Sequence, residues 1–228
     1  MIDFKVSFAL LLYDEFDGAP ITDPSVIFRW DGRLVTPLRK REGFYVFRGL
    51  EPNRAELEIE RPHFHKTREY VDPGGLDPGY PVVRVRLARK FPGTFSDCEW
   101  LEGEYPEGCD VMAFAEEARA RFSAPEEDRV TVLNCPAALL IGRRFSLRPE
   151  KADTFLLTQS PAPGVYLADK KLPGSVKQVY YRAYLSKCGP DGRYHIPVEF
   201  GQIGKITGTA FYDKGVGKWV YASATGRS

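Results

Sequence analysis

The chain has 228 residues, enough for one large or two medium domains whose cores need neither disulfides nor metals. Its 32 Lys and Arg against 31 Asp and Glu leave a net charge of +1, so no global field gathers nucleic acid or an anionic membrane. Fifteen Phe and twelve Tyr among 21 Gly and 18 Pro favour short strands with many turns, and no span nears the roughly 20 apolar residues of a membrane helix.

Residues 3 to 13 alternate, with Phe4, Val6, Phe8, Leu10 and Leu12 on one strand face and Ala9 and Leu11 on the other. Val6–Tyr13 is too short for a membrane helix, lacks a basic n-region beyond Lys5 and is followed by no small-residue cleavage site, so a cytoplasmic protein is expected. Asp17-Gly18 and Ala19-Pro20 make a turn, and Val26–Trp30 forms a second strand. Asp31-Gly32 is a two-residue hairpin signal into Arg33-Leu34-Val35. A central strand, Phe44–Phe47, lies between Gly43 and Gly49 inside the stretch Arg41–Pro52. Ala55–Glu60 is a half-exposed strand with Leu57 and Ile59 inward and three glutamates outward. An extended run from Phe64 to Val71, a Pro-Gly loop and Val82–Leu87 close the series. Six or seven short strands in about 87 residues, divided by turn chemistry, predict a β-sandwich.

The segments Gly18-Ala19-Pro20-Ile21, Val26-Ile27-Phe28, Gly43-Phe44-Tyr45-Val46-Phe47-Arg48-Gly49-Leu50 and Leu57-Glu58-Ile59 resemble the transthyretin-like β-sandwiches, including the carboxypeptidase regulatory-like domains. The resemblance covers residues 1 to about 90 and implies a scaffold that in most members has a spacer or binding role. The family's 5-hydroxyisourate hydrolases end in Tyr-Arg-Gly-Ser and use early histidines. This chain ends Ala224-Thr225-Gly226-Arg227-Ser228 and has no histidine before His63, so that activity is not carried over.

Lys90-Phe91-Pro92-Gly93 reads as a linker, which predicts two domains, 1–90 and 91–228. In the second, Cys109–Phe122 is expected to be a helix. Val111, Phe114, Ala115, Ala118 and Phe122 recur at helical spacing, Asp110 can cap the start and Pro125 stops it. From Val130 onward strands return: Thr131–Leu133, Ala138–Ile141, Phe145–Leu147, Thr154–Leu157, Gly164–Leu167, Val176–Ser186 and Arg193–Val198. The final pair, Ile206–Tyr212 and Lys218–Ala224, flanks the glycine-containing turn Asp213–Gly217. Asp191-Gly192-Arg193-Tyr194 echoes the central strand of the first domain. The fold class expected is therefore mainly β, a transthyretin-like sandwich followed by a second mostly-β domain with one helix.

No catalytic or cofactor signature is present. His63 and His65, two apart, would share a strand face as metal ligands do, but Arg61, Lys66 and Arg68 oppose a cation. They read as solvent-facing edge histidines. The cluster Arg39-Lys40-Arg41 reads as a solvated turn. Cys98, Cys109, Cys135 and Cys188 form no C-x-x-C pair; they are read as buried thiols, with a Cys98–Cys109 loop closure left open. Tyr212, Trp219 and Tyr221 on the last hairpin are the candidate ligand-binding residues, either core or a stacking platform. Trp100 and Tyr105 are placed in a loop after the linker.

No metal and no cofactor are expected. The expected function is a non-catalytic structural or binding module that meets a protein partner or itself, such as an accessory piece of a phage-like particle assembled in the cytoplasm and exported within it. Two alternatives stand beside it. A carbohydrate-binding module would use the terminal aromatics on a glycan, and a hydrolase with an unrecognised site would need His195, His63 or a cysteine beside a carboxylate.

Overall fold

The computed structural model describes residues 6–126, 129–132, 140–162, 164–172 and 178–224, with the backbone alone at 117–126, 131–132 and 178–180. Phe4, Cys135, the start of the strand expected at 138–141, Val176 and residues 225–228 lie outside the described residues. The chain divides into two compact units, Met1–Gly93 and Thr94–Ser228. The fold is mainly β throughout, and among the described residues no helix is long and apolar enough to cross a membrane.

The first unit holds β1 (Val6–Asp14), β2 (Ile27–Trp30), β3 (Arg33–Val35), β4 (Leu38–Arg39), β5 (Phe44–Arg48), β6 (Ala55–Glu60), β7 (Thr67–Val71) and β8 (Val82–Leu87). They form two four-stranded sheets, ordered β4-β5-β1-β8 and β3-β2-β6-β7. β1 and β8 run parallel, and the other pairs are antiparallel. The period-two pattern fixes the register, because one sheet face is buried. Phe8, Leu10, Leu12, Phe47 and Leu87 point inward from one sheet and Phe28, Leu57 and Ile59 from the other. The ring of Phe47 stacks on Phe8 with centroids 4.6 Å apart and meets Phe28 of the facing sheet edge-on at 5.4 Å. The hairpin at Asp31-Gly32 forms as its sequence demands, with φ of 47° and 76° at the two turn residues.

The outward face of β6 carries a charge ladder. Glu58 lies 3.2 Å from Arg29, 2.6 Å from Lys66 and 3.3 Å from Arg68, while Glu60 meets Arg29 and Lys66 at 3.0 and 2.8 Å. In the same unit Arg89 is 3% exposed and pairs with Asp14 at 2.9 Å, its guanidinium 4.2 Å from the Phe16 ring centroid.

The second unit holds β9 (Cys98–Glu104), β10 (Asp110–Glu126), β11 (Arg129–Val132), β12 (Arg144–Arg148), β13 (Asp153–Ala162), β14 (Val165–Ala168), β15 (Gln178–Lys187), β16 (Arg193–Glu199), β17 (Ile206–Asp213) and β18 (Lys218–Ser223). Its eight-stranded sheet runs β11-β14-β13-β12-β15-β10-β17-β18, and β10 pairs with β11 as well. That extra pairing closes β10, β11, β14, β13, β12 and β15 into a barrel, from which β17 and β18 extend along the first half of β10. Val130, Phe145, Phe155, Leu157 and Tyr166 form one buried cluster of these strands. Met112, Phe114, Ala183 and Ala210 form another, to which Trp219 and Tyr221 contribute. β9 and β16 make a separate two-stranded ribbon.

The expected helix at Cys109–Phe122 is a strand, β10. Val111, Met112, Ala113, Phe114 and Ala115 are all buried. A run covered on both faces has no period-two signature, so its apolar positions can be read at helical spacing just as well. Asp110, expected as a cap, instead pairs with Lys187 on β15. Trp100 likewise stands on a strand, opposite Pro197, and not in a loop. The echo at Asp191–Tyr194 leads into β16, which pairs with β9 in the ribbon.

Candidate functional site

Tyr212, Trp219 and Tyr221 come together on the terminal hairpin β17–β18. The turn between these strands is fixed by Asp213, whose Oδ1 accepts from the amides of Gly215 at 2.8 Å and Val216 at 3.1 Å. Trp219 stands opposite Tyr212, and Tyr221 opposite Ala210. The Tyr212 and Trp219 rings meet at 65° with centroids 5.6 Å apart, so they offer no common plane to a sugar. Tyr221 is half-buried, its hydroxyl donating to the Thr207 carbonyl at 3.2 Å, and burial pushes its phenol above the ordinary value. Trp219 and Tyr221 therefore anchor β18 to the sheet through one face.

That anchoring leaves the strand's edge in a defined state. The Ala224 amide donates to the Thr207 carbonyl at 2.8 Å, and the register continues unbroken to Asp213 opposite Lys218. In such an antiparallel ladder alternate residues turn their polar groups to the partner. Residues 218, 220 and 222 thus face β17, while the amides and carbonyls of Trp219 and Tyr221 point the other way. Among the described strands β18 pairs with β17 alone.

Beside this edge runs a groove of about 430 Å³, lined by Leu101, Tyr194, Ile203, Ile206, Thr209 and Ala222 among others. An aromatic stack supports it. Tyr105 lies between Tyr194 at 5.1 Å and Phe211 at 4.6 Å, and its hydroxyl shares a 2.6 Å hydrogen bond with Thr209. Among the described residues the side chains lining the groove are apolar or hydroxylic, with no carboxylate, imidazole, thiol or amine. Such a surface can bury apolar groups and exchange hydrogen bonds, but it supplies no acid or base.

The other sequence candidates sit elsewhere. His195 lines a depression of about 280 Å³ on the ribbon with Glu102, Glu104, Arg193 and Tyr194. Its Nδ1 is 3.5 Å from a Glu102 carboxylate oxygen, which is the imidazole and acid pair a hydrolase would need. Among the described residues no serine, threonine or cysteine lines that depression; the Ser186 hydroxyl donates to the backbone carbonyl of His195 at 2.8 Å and lies fully buried. His63 has φ of 66°, so the extended alternation that would put it on one face with His65 does not apply, and the two flank the buried Phe64. Among the described residues no group of three or more His, Cys, Asp or Glu side chains gathers as a metal centre would require. Arg39, Lys40 and Arg41 are exposed at the turn from β4 to β5. A third concavity, about 300 Å³, lies at the end of β5 against Val6, Leu50, Pro52, Pro73 and Leu76.

Comparison of the chain with protein-family models, curated proteins and solved structures finds no match. The groove escaped the sequence reading because Leu101, Tyr194 and Ala222 come from distant parts of the chain. A lone glycine inside a strand, Gly208, marks a different close approach, that of the Tyr221 ring.

Proposed function

We propose that the protein is a non-catalytic binding module of a larger assembly, and that β18 takes up an extended segment of a protein partner as an added strand. The observation that carries this reading is the outward-facing backbone of Trp219 and Tyr221, two residues whose own side chains pack against the sheet. Main-chain bonds to such an edge give affinity, and a neighbouring groove gives side-chain selectivity. The groove beside β18 has the chemistry for apolar or hydroxylic side chains and none for acid and base work.

For the first unit we keep the transthyretin-like reading, supported by its two four-stranded sheets and by the central place of β5 between β4 and β1. A scaffold of that kind fits a spacer in an assembly, and a phage-like particle built in the cytoplasm is the setting we favour by analogy. The test is light scattering on the purified protein across concentration, alone and after incubation with an extract of the producing cells. The reading predicts a complex larger than the monomer that Ala222→Arg prevents, since a charge beside the edge opposes strand addition. A monomer under both conditions, with or without the substitution, overturns it.

A further inference from the structure

Two cysteines bracket the barrel of the second unit. Cys109 stands immediately before β10 and Cys188 immediately after β15, so every barrel strand lies between them in the chain. β10 and β15 are also neighbours in the barrel wall, where Asp110 is opposite Lys187. Cys109 and Cys188 extend that ladder by one step, and the Cys188 amide donates to the Cys109 carbonyl at 2.9 Å. Residues opposed across an antiparallel ladder hold their Cα atoms about 4.5–5.5 Å apart, inside the range a disulfide spans.

The side chains agree with the backbone. Both cysteines are free and buried, and each thiol shifts the titration of the other. Carbonyls close over the pair, with the Cys188 sulfur 3.5 Å from that of Gly192 and 3.7 Å from that of Tyr105. The third described cysteine, Cys98, stands on β9 opposite Glu199.

We propose that Cys109 and Cys188 are a latent disulfide that clasps the first and last strands of the barrel when the chain folds with a small-molecule disulfide such as oxidised glutathione as oxidant. The exchange balances in two steps. Cys109 gives up its proton, and its thiolate attacks one sulfur of the oxidant, breaking that S–S bond and releasing one small thiolate. Cys188 then gives up its proton and attacks the Cys109 sulfur of the mixed disulfide, expelling the second small thiolate. The two protein sulfurs lose two electrons, and the oxidant becomes two thiols by taking up the two protons.

Burial sets when this happens. It raises the Cys109 thiol above its ordinary value and pushes Cys188 up to about 12, so both stay protonated in the finished fold. The thiolate is the attacking species, and closure therefore belongs to folding, before the barrel covers the pair. The bond would close a loop of about 80 residues, the length at which cross-linking constrains the unfolded chain strongly.

The test is to unfold the protein and refold it either in a glutathione redox buffer or under excess reductant, then map disulfide-linked peptides by mass spectrometry. Expression in a reducing and in an oxidising host compartment gives the same comparison without refolding. The expected result under oxidising conditions is a peptide joining Cys109 to Cys188 and an intact mass lower by two hydrogens. Its Tm should exceed that of the dithiol form by on the order of 10 °C. The Cys98→Ser, Cys135→Ser double variant keeps the link, and Cys188→Ala loses it. Four free thiols after oxidising folding, or a link through Cys98 or Cys135, would overturn the proposal.

Discussion

The phenol of Tyr221 lies across the backbone of Gly208, so that a Cβ at residue 208 would come within 2.2 Å of its oxygen and 2.7 Å of the Ala222 carbonyl. The ribbon repeats the arrangement, with the Tyr194 hydroxyl 2.3 Å from a Cβ placed on Gly103. In each case a ring covers the bare stretch of a strand that glycine leaves, and the glycine is what admits the ring. Gly208→Ala should therefore expel Tyr221 and cost about 1–3 kcal/mol, as overpacking does. Tyr221→Phe keeps the ring, loses the bond to Thr207 and should cost about 1 kcal/mol. Urea unfolding monitored by tryptophan fluorescence ranks the two, and equal losses would mean that the ring's position is unimportant.

Arg89 and Asp14 are 75 residues apart in the chain and meet where little solvent reaches. Removing one member of such a pair strands the other. Arg89→Met should destabilise the first unit by roughly 3–5 kcal/mol, while pairing it with Asp14→Asn should recover much of that loss. A double-mutant cycle in urea checks this, and additive losses would contradict a coupled pair.

Two aspartates of the first unit should answer to pH in opposite directions. Burial raises the Asp14 carboxyl above the ordinary 3.8, against the opposing pull of Arg89. The fold binds that proton more tightly than the unfolded chain, so this contribution is full below 3.8 and fades as pH rises through the raised value. Asp23 is lowered to about 2 by hydrogen bonds from Ser25 and by Arg61, so its contribution is present above 3.8 and lost as pH falls toward 2. Stability measured between pH 2 and 6 should show Asp14→Asn removing a fall on the rising-pH side and Asp23→Asn removing a fall on the acid side. The same sign of change from both variants would contradict the assignment.

Lys66 should control the carboxylates of the charge ladder. Its hydrogen bonds are the leading cause that lowers both Glu58 and Glu60 below the ordinary 4.5. Lys66→Met should raise the titration of both glutamates, read by carbon NMR of the side-chain carboxyls, with Arg29 still holding part of the effect. Unchanged titration would show that the ladder is not formed in solution.

Much of the first unit was legible because its information is local. Asp31-Gly32 specifies its own turn, and the alternation from Ala55 to Glu60 states which side chains face in. β10 was misread for the opposite reason. It is buried on both faces and flanked by strands whose pairings reach from residue 110 to residue 187, and nothing near Phe114 records them. The candidate site followed the same division. Tyr212, Trp219 and Tyr221 were visible as a hairpin cluster, but whether their rings are presented or packed depends on Phe114 and Met112, about a hundred residues earlier. The groove beside them is likewise assembled across distance, with Tyr105 bonded to Thr209 over 104 positions.

The central claim is that β18 accepts a partner's strand, and amide hydrogen exchange tests it most directly. In the isolated protein the Trp219 and Tyr221 amides should exchange quickly while those of 220 and 222, bonded to β17, are protected. In the complex recovered from the producing cells the account predicts that the first pair becomes protected as well, and that Ala222→Arg yields no such complex. A complex in which the exchange of Trp219 and Tyr221 is unchanged, with new protection elsewhere on the chain, would contradict it.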